Sequence, residues 1–171
     1  MKYISYYNSI LGKITLISDG KFLTNLYFNL KNDESNFIEK DLPIFTITKH
    51  WLDLYFQGNI PSFTPEYKLN VTKFQNQVLD IVKNIPYGKV ITYKDITKEI
   101  AKNNNLKKMS SQAVGQAVSK NPICIIIPCH RVIGQNNNLV GYTGGLKNKI
   151  ALLQIEKHDI TKFKVPKNAK M

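Results

Sequence analysis

The first third of the chain is built from short runs of β-branched and aromatic residues separated by turn formers. Lys2 to Asn8 and Lys13 to Ser18 predict two strands, and Asp19-Gly20 supplies a hairpin signal before a third, Lys21 to Phe28. Residues 31–41 are polar and read as a loop. From Ile47 to Phe56 the pattern becomes that of an amphipathic helix, with Trp51, Leu54 and Tyr55 close to one face and Gly58 as its stop. Pro61 and Pro65 then break a stretch, 59–70, with little periodicity, which marks a domain boundary.

Beyond that boundary the period is helical. Thr72 is placed to cap a helix in which Phe74, Val78, Ile81, Val82 and Ile85 recur at helical spacing. Pro86-Tyr87-Gly88 makes a turn, and Thr92 caps a second helix, Tyr93 to Ala101, with Ile96 and Ile100 inward. After the polar loop Asn103 to Leu106, Ser110 caps a third helix, Ser111 to Lys120, apolar at Ala113, Val114, Ala117 and Val118. Two short helices joined by a polar loop fit a helix-turn-helix, although an ordinary helical bundle gives the same pattern. The apolar run Ile123 to Ile127, bounded by Pro122 and Pro128, predicts a buried extended segment. Leu146 to Lys157 is the last helix, and the Lys-rich residues 161–171 read as a mobile tail. The expected class is α+β: a small N-terminal α/β domain (1–65) with an antiparallel sheet and a helix, a mainly helical C-terminal domain (66–160) and a basic tail (161–171).

Composition narrows the partners. Hydrophobic residues make up 43% and charged residues 21%, as in a folded globular chain. No apolar run approaches the roughly 20 residues of a membrane helix, and the start Met1-Lys2-Tyr3-Ile4-Ser5 lacks a secretory apolar region. A cytoplasmic protein without a membrane partner is expected, and in that reducing compartment Cys124 and Cys129 are not expected to pair. The net charge of +12 is unevenly spread. Residues 1–69 hold seven lysines against seven acids; residues 70–171 hold sixteen lysines and one arginine against five acids. A polyanion partner for the second part accounts for this asymmetry, and a general lysine bias is the plainer alternative.

The candidate chemistry lies at the end of the buried run. Pro128 fixes the backbone before Cys129, a basic neighbourhood favours the thiolate, and His130 is a ready proton acceptor. Glu156 falls in the last turn of the final helix, where the helix dipole disfavours a carboxylate; orienting His130 is one role for it, solvated surface charge another. Asn121-Pro122 can fix the turn into the run, and Gly141-Tyr142-Thr143-Gly144-Gly145 can line a pocket or merely join elements. Cys124 reads as core, and His50 and His158 as structural or exposed. Cys124, Cys129 and scattered histidines lack the paired spacing of a zinc site, so no metal is expected. A cysteine hydrolase using Cys129, His130 and Glu156, and a DNA-binding regulator without catalysis, both remain open on these residues alone.

The stretch Asn121-Pro122-Ile123-Cys124-Ile125-Ile126-Ile127-Pro128-Cys129-His130-Arg131-Val132-Ile133-Gly134 resembles the active-site signature of the O6-alkylguanine-DNA alkyltransferases, with the Pro-Cys-His-Arg-Val core highly specific. Ile85 to Val90, Thr92-Tyr93, Ala113-Val114-Gly115, Gly141 to Leu146 and Glu156 match in order, so the resemblance covers about residues 70–157. Tyr55-Phe56-Gln57-Gly58 is similar to the family's N-terminal domain near its end.

The resemblance implies a ribonuclease-H-like N-terminal domain and a winged-helix-like DNA-binding domain. It implies stoichiometric, irreversible transfer of an alkyl group from O6-alkylguanine, and from O4-alkylthymine, in double-stranded DNA to Cys129. His130 then activates Cys129 through a water, Glu156 orients His130, and Asn121 organises the turn. Tyr93 donates to the extruded guanine, Thr143 contacts its O6 region, and Val140, Gly141 and Tyr142 line the substrate pocket. The helix Ser111 to Lys120 enters the minor groove, so Thr92, Ser111, Gln112, Ala113, Gly115 and Lys120 face DNA. Many members carry an arginine where this chain has Gln112, which bears on base extrusion rather than on the chemistry. A thioether product lacks the carbonyl that lets water release an acyl group, so the reaction stops after one turnover; no cofactor is implied, and the protein is expected to act as a monomer.

Overall fold

The computed structural model describes residues 1–29 and 33–167. They form two compact units: residues 1–70 together with 122–126, and residues 71–121 together with 127 onward. Among the described residues no helix is long and apolar enough to cross a membrane.

In the first unit, β1 (Lys2–Ser9), β2 (Gly12–Ser18) and β3 (Leu23–Phe28) form an antiparallel meander. Gly12 closes the first hairpin at φ 107°, a conformation that needs no side chain. In the second turn, the Asp19 carboxylate accepts hydrogen bonds from the Lys21 and Phe22 amides at 3.0 and 2.8 Å. The central strand β2 is buried along Ile14 to Ser18. The sheet is mixed rather than purely antiparallel. Phe37–Glu39, inside the stretch read as loop, forms β4 and pairs in parallel with Lys2–Ile4, giving the order β3-β2-β1-β4. Its three residues are too few to set a period, so edge pairing rather than local pattern decides their conformation.

Helix α1 (Pro43–Phe56) starts four residues before the predicted Ile47, because Pro43 occupies a first-turn position where its fixed φ suits a helix and its missing N–H costs nothing. It buries Ile44, Phe45, Thr48, Trp51, Leu52 and Tyr55, worth roughly 1.5–3 kcal/mol for each large apolar side chain. Along β3, the Leu23 amide donates to Glu66 O at 3.0 Å and Lys68 N–H to Leu23 O at 2.9 Å, so residues 66–68 belong to this unit although the sequence placed them past the boundary. Farther along, Leu26 N–H donates to Pro122 O at 2.8 Å and Cys124 N–H to Leu26 O at 3.1 Å. A piece of chain from the middle of the helical region is thereby taken into the sheet unit.

The second unit packs α2 (Lys73–Lys83), α3 (Tyr93–Asn103) and α4 (Ser111–Ser119) against one another through Val78, Leu79, Val82, Ile96, Ile100, Val114, Ala117 and Val118. Thr72, Thr92 and Ser110 cap the three helices as predicted, and Thr92 and Asp95 form a full capping box. β5 (Ile91–Thr92) runs parallel to β6 (Val132–Ile133), and α5 (Leu146–Ile155) follows. That short pairing joins the start of α3 to the chain just beyond residues 129–131. Residues 161–164 are not a free tail: a 3-10 turn at Ile160–Lys162 leads into a bridge between Lys164 and Asn138. Residues 168–171 of the predicted tail lie outside the described residues.

Replacing Thr92 by alanine removes the hydroxyl half of the capping box and leaves the Asp95 carboxylate on the residue-92 amide. It should lower stability by about 1 kcal/mol, read as a shift of the urea midpoint with unchanged slope.

Candidate active site

The predicted extended run holds only at its start, where Ile123 bridges Leu26 of β3; two tight turns follow. Ile126 N–H donates to Cys124 O at 2.8 Å across Ile125, and Cys129 N–H to Ile127 O at 2.8 Å across Pro128. Pro128, at φ −82° and ψ 65°, is an inverse γ-turn, a conformation its ring favours. Ile125 sits at φ 70°, strained for a buried β-branched side chain. The hydrophobic run is buried as predicted and bridges β3 at Ile123, but past Cys124 its backbone bonds close locally.

The Asn121 side-chain amide fixes the geometry between these turns by donating to Ile127 O at 2.7 Å, the same carbonyl that accepts from Cys129 N–H. Arg131 N–H donates to Pro128 O at 2.9 Å, winding Cys129–Arg131 into a single 3-10 turn. Cys129 keeps only 5% of its surface exposed, and neither Cys124 nor Cys129 is in a disulfide.

Behind Cys129 lies a buried ionic network. The His130 Nε2 is hydrogen-bonded to Glu156 Oε2, and Arg131 Nε donates to Glu156 Oε1 at 2.7 Å. Arg131 also donates to Ile85 O at 2.6 Å, and its guanidinium lies 5.7 Å from the Tyr87 ring centre. Gly88, at φ 78°, presents its amide to Glu156 Oε1 at 3.4 Å. Burial pushes the Glu156 carboxyl up, but hydrogen bonds from His130 and Arg131 and the Arg131 charge outweigh it and hold the group down at about 2. Burial also lowers the His130 imidazole, against the pull of Glu156, so the ring is neutral at rest. With Nε2–H given to the carboxylate, the proton-accepting lone pair of the neutral ring is on Nδ1.

Two basic residues complete the site and were missed from the sequence. Arg131 is the sole arginine of a lysine-rich chain, and that rarity is the available signal: a planar, permanently charged fork suits a buried carboxylate better than an ammonium does. Lys149 is fully buried and donates to Val132 O at 2.6 Å and Val140 O at 3.0 Å. Its position on the apolar stripe of α5, between Leu146 and Leu152, was the signal. Burial lowers its ammonium to about 8, against the stabilising charge of Cys129.

The remaining candidates divide. Tyr93, at the start of α3, is pushed up to about 12 by burial and then by the charge of Cys129, which places it at the site as a persistent O–H donor. Thr143 lies in the loop before α5, and its hydroxyl donates to Ser119 O at the end of α4. Val140 and Gly141 are exposed and Tyr142 half-buried in the same loop. Ser111, Gln112 and Lys120 are exposed on α4, Ala113 is half-buried, and a side chain at Gly115 would meet nothing within 4 Å. The Thr92 hydroxyl is committed to the α3 cap. Among the described residues no group of three His, Cys, Asp or Glu could hold a metal ion.

Two family models match the chain: the 6-O-methylguanine DNA methyltransferase DNA-binding domain over residues 73–158, and the ribonuclease-like domain of the same family over residues 2–67. The methylated-DNA–protein-cysteine methyltransferase of Haemophilus influenzae is 36% identical over 91% of this chain and 86% of its own. That of Saccharolobus islandicus is 40% identical over 88% of this chain and 92% of its own. A crystal structure of Mycobacterium tuberculosis OGT in complex with DNA superposes with a TM-score of 0.80 at 35% identity, covering 94% of both chains.

Replacing Glu156 by glutamine leaves the Arg131 charge buried without its counter-ion and should cost about 3–5 kcal/mol, measured by urea denaturation near neutrality. The parent should also lose stability in acid. His130, lowered in the fold, costs stability as pH falls through 6.5, and Glu156, lowered from 4.5 to about 2, does so between those values. Stability that stays flat from pH 7 to 3 would contradict the ionised, buried network.

Proposed function

Because the chain belongs to the 6-O-methylguanine DNA methyltransferase family, we propose that Cys129 takes the alkyl group from O6-alkylguanine in double-stranded DNA and retains it. The observation that carries this reading is the buried Glu156–His130 pair directly behind Cys129.

The mechanism follows from the chemistry of these groups. His130, neutral and backed by an ionised carboxylate, receives the thiol proton through a water, and Glu156 stabilises the imidazolium that forms. The Cys129 thiolate attacks the alkyl carbon. A sulfur–carbon bond forms, the carbon–O6 bond breaks, and the electron pair passes to the guanine, which takes its proton from solvent. Tyr93 remains protonated at neutral pH and donates a hydrogen bond to the base as charge develops there. Thr143 exchanges the Ser119 carbonyl for the O6 region, with Val140, Gly141 and Tyr142 walling the pocket. The thioether offers no carbonyl to water, so each chain reacts once.

The target oxygen lies inside the stacked duplex, so the nucleotide must be everted, at a cost of a few kcal/mol. The open face of α4, with Ser111, Gln112, Ala113 and Gly115, suits close approach to a minor groove. The exposed Lys102, Lys107, Lys108 and Lys120 hold phosphates without reading sequence. Gln112 fills the vacated position with a neutral amide that can hydrogen-bond an orphaned base. The protein acts as a monomer, in a reducing compartment that suits two cysteines kept out of a disulfide.

Intact-mass analysis after incubation with methylguanine-containing duplex should show one added methyl per chain, mapped by fragmentation to Cys129. Duplex binding with Cys129 left unmodified would overturn the transfer reading, and continued turnover would indicate a hydrolase. Tyr93→Phe should slow single-turnover transfer by about a hundredfold while leaving binding to undamaged duplex unchanged.

A further inference from the structure

The segment Ile160–Lys164 follows the part of the chain matched by the family's DNA-binding domain, and it is tied to the base of the loop that carries Val140 to Thr143. Leu139 N–H donates to Lys164 O at 2.8 Å, and Lys164 N–H donates to Asn137 O at 2.9 Å, so two backbone bonds bracket Asn138. Phe163 and Ile160 pack on the cluster of Ile133, Leu139, Leu146 and Leu153, and the His158 ring meets Phe163 edge-on with centres 5.7 Å apart.

The turn beneath these bonds is poorly fixed by its own sequence. Asn136 and Asn137 both sit at positive φ, 57° and 60°, where asparagine is tolerated but not compelled. Two backbone bonds close the turn, Gly134 N–H to Asn138 O at 2.8 Å and Asn138 N–H to Gln135 O at 3.1 Å, and neither involves a side chain. What leaves it is Leu139, fully buried, and then Val140, whose carbonyl Lys149 holds from the other side at 3.0 Å.

We propose that Ile160–Lys164 is a strap that positions the substrate-facing loop, with Phe163 as its anchoring side chain. The strap fixes Leu139, Leu139 and Lys149 together fix Val140, and the wall so formed aligns the alkyl carbon with Cys129. This rests on the reading that Val140 to Thr143 line the substrate pocket. Misalignment by about 1 Å at a reacting centre can cost up to a hundredfold in rate, so a strap distant from the sulfur is enough to control transfer.

The test uses the full chain carrying Phe163→Ala, Phe163→Tyr or Lys164→Pro. Proline at 164 removes the amide given to Asn137, and Phe163, at ψ 155°, already has the backbone a following proline prefers. Phe163→Ala and Lys164→Pro should slow the first-order transfer constant on methylguanine duplex about tenfold, with affinity for undamaged duplex unchanged. Hydrogen exchange at the Leu139 amide should accelerate in both, and Phe163→Tyr should restore both readouts. Transfer at the parental rate in both variants, or a Leu139 amide as protected as in the parent, overturns the strap even if melting temperature falls. A parent that binds duplex and leaves Cys129 unmodified instead defeats the transfer reading, and Leu139 exchange then still decides the strap.

Discussion

The carboxylate of Glu156 is a charge sealed inside the helical unit, and the geometry around Cys129 depends on how that charge is neutralised. A buried carboxylate without partners would take up a proton or unfold its surroundings. Here one oxygen is bound to His130 Nε2 and the other accepts from Arg131 and, at longer range, from the Gly88 amide. The arrangement ties the C-terminal cap of α5 to the turn that carries Cys129 and to the turn that ends at Gly88. It also sets the protonation state: the acid is ionised, the imidazole neutral, and the ring has only one nitrogen from which to act as base. Structural stability and proton acceptance are served by the same bonds.

A second constraint is the path of the chain from Asn121 to Cys129. Residues 122–126 supply backbone bonds to β3 in the sheet unit, while Asn121 and Ile127 onward belong to the helical unit. The chain makes this excursion in few residues, which accounts for two successive γ-turns and for an isoleucine at positive φ. Strain of about 1–3 kcal/mol at such a residue persists only where its surroundings over-determine it. Buried packing of Ile123, Ile125 and Ile127 and the Asn121 bond to Ile127 O provide that. The backbone of Cys129 is therefore held within the helical unit by the Asn121 and Ile127 bonds, which do not involve the ionic network.

Where the sequence was legible, local chemistry and tertiary structure agreed. Thr72, Thr92 and Ser110 announced their helices because a cap is a contact between near neighbours. Phe37–Glu39 and the run 123–127 misled for the opposite reason: an edge pairing in one and a pair of γ-turns in the other are imposed by partners distant in sequence. Within the site, Cys129, His130, Glu156, Asn121 and Tyr93 stood out through resemblance to a family. Arg131 was quoted there but given no role, and Lys149 passed as one more lysine among many. Periodicity along α5 distinguishes Lys149 from the others, since a lysine on the buried stripe must find carbonyl oxygens or lose its proton.

The basic character of the second part of the chain thus divides into two kinds of charge. Lys102, Lys107, Lys108 and Lys120 are exposed and solvated, and their effect on a polyanion is long-range and sensitive to salt. Arg131 and Lys149 are buried and act at contact distance, one on a carboxylate and the other on two backbone carbonyls. Along α4, Gln112 and Gly115 carry no charge, and the next cation is Lys120. On the proposed function, then, the exposed lysines bear on affinity for the polyanion and the buried cations on the geometry around Cys129, and salt screens only the first.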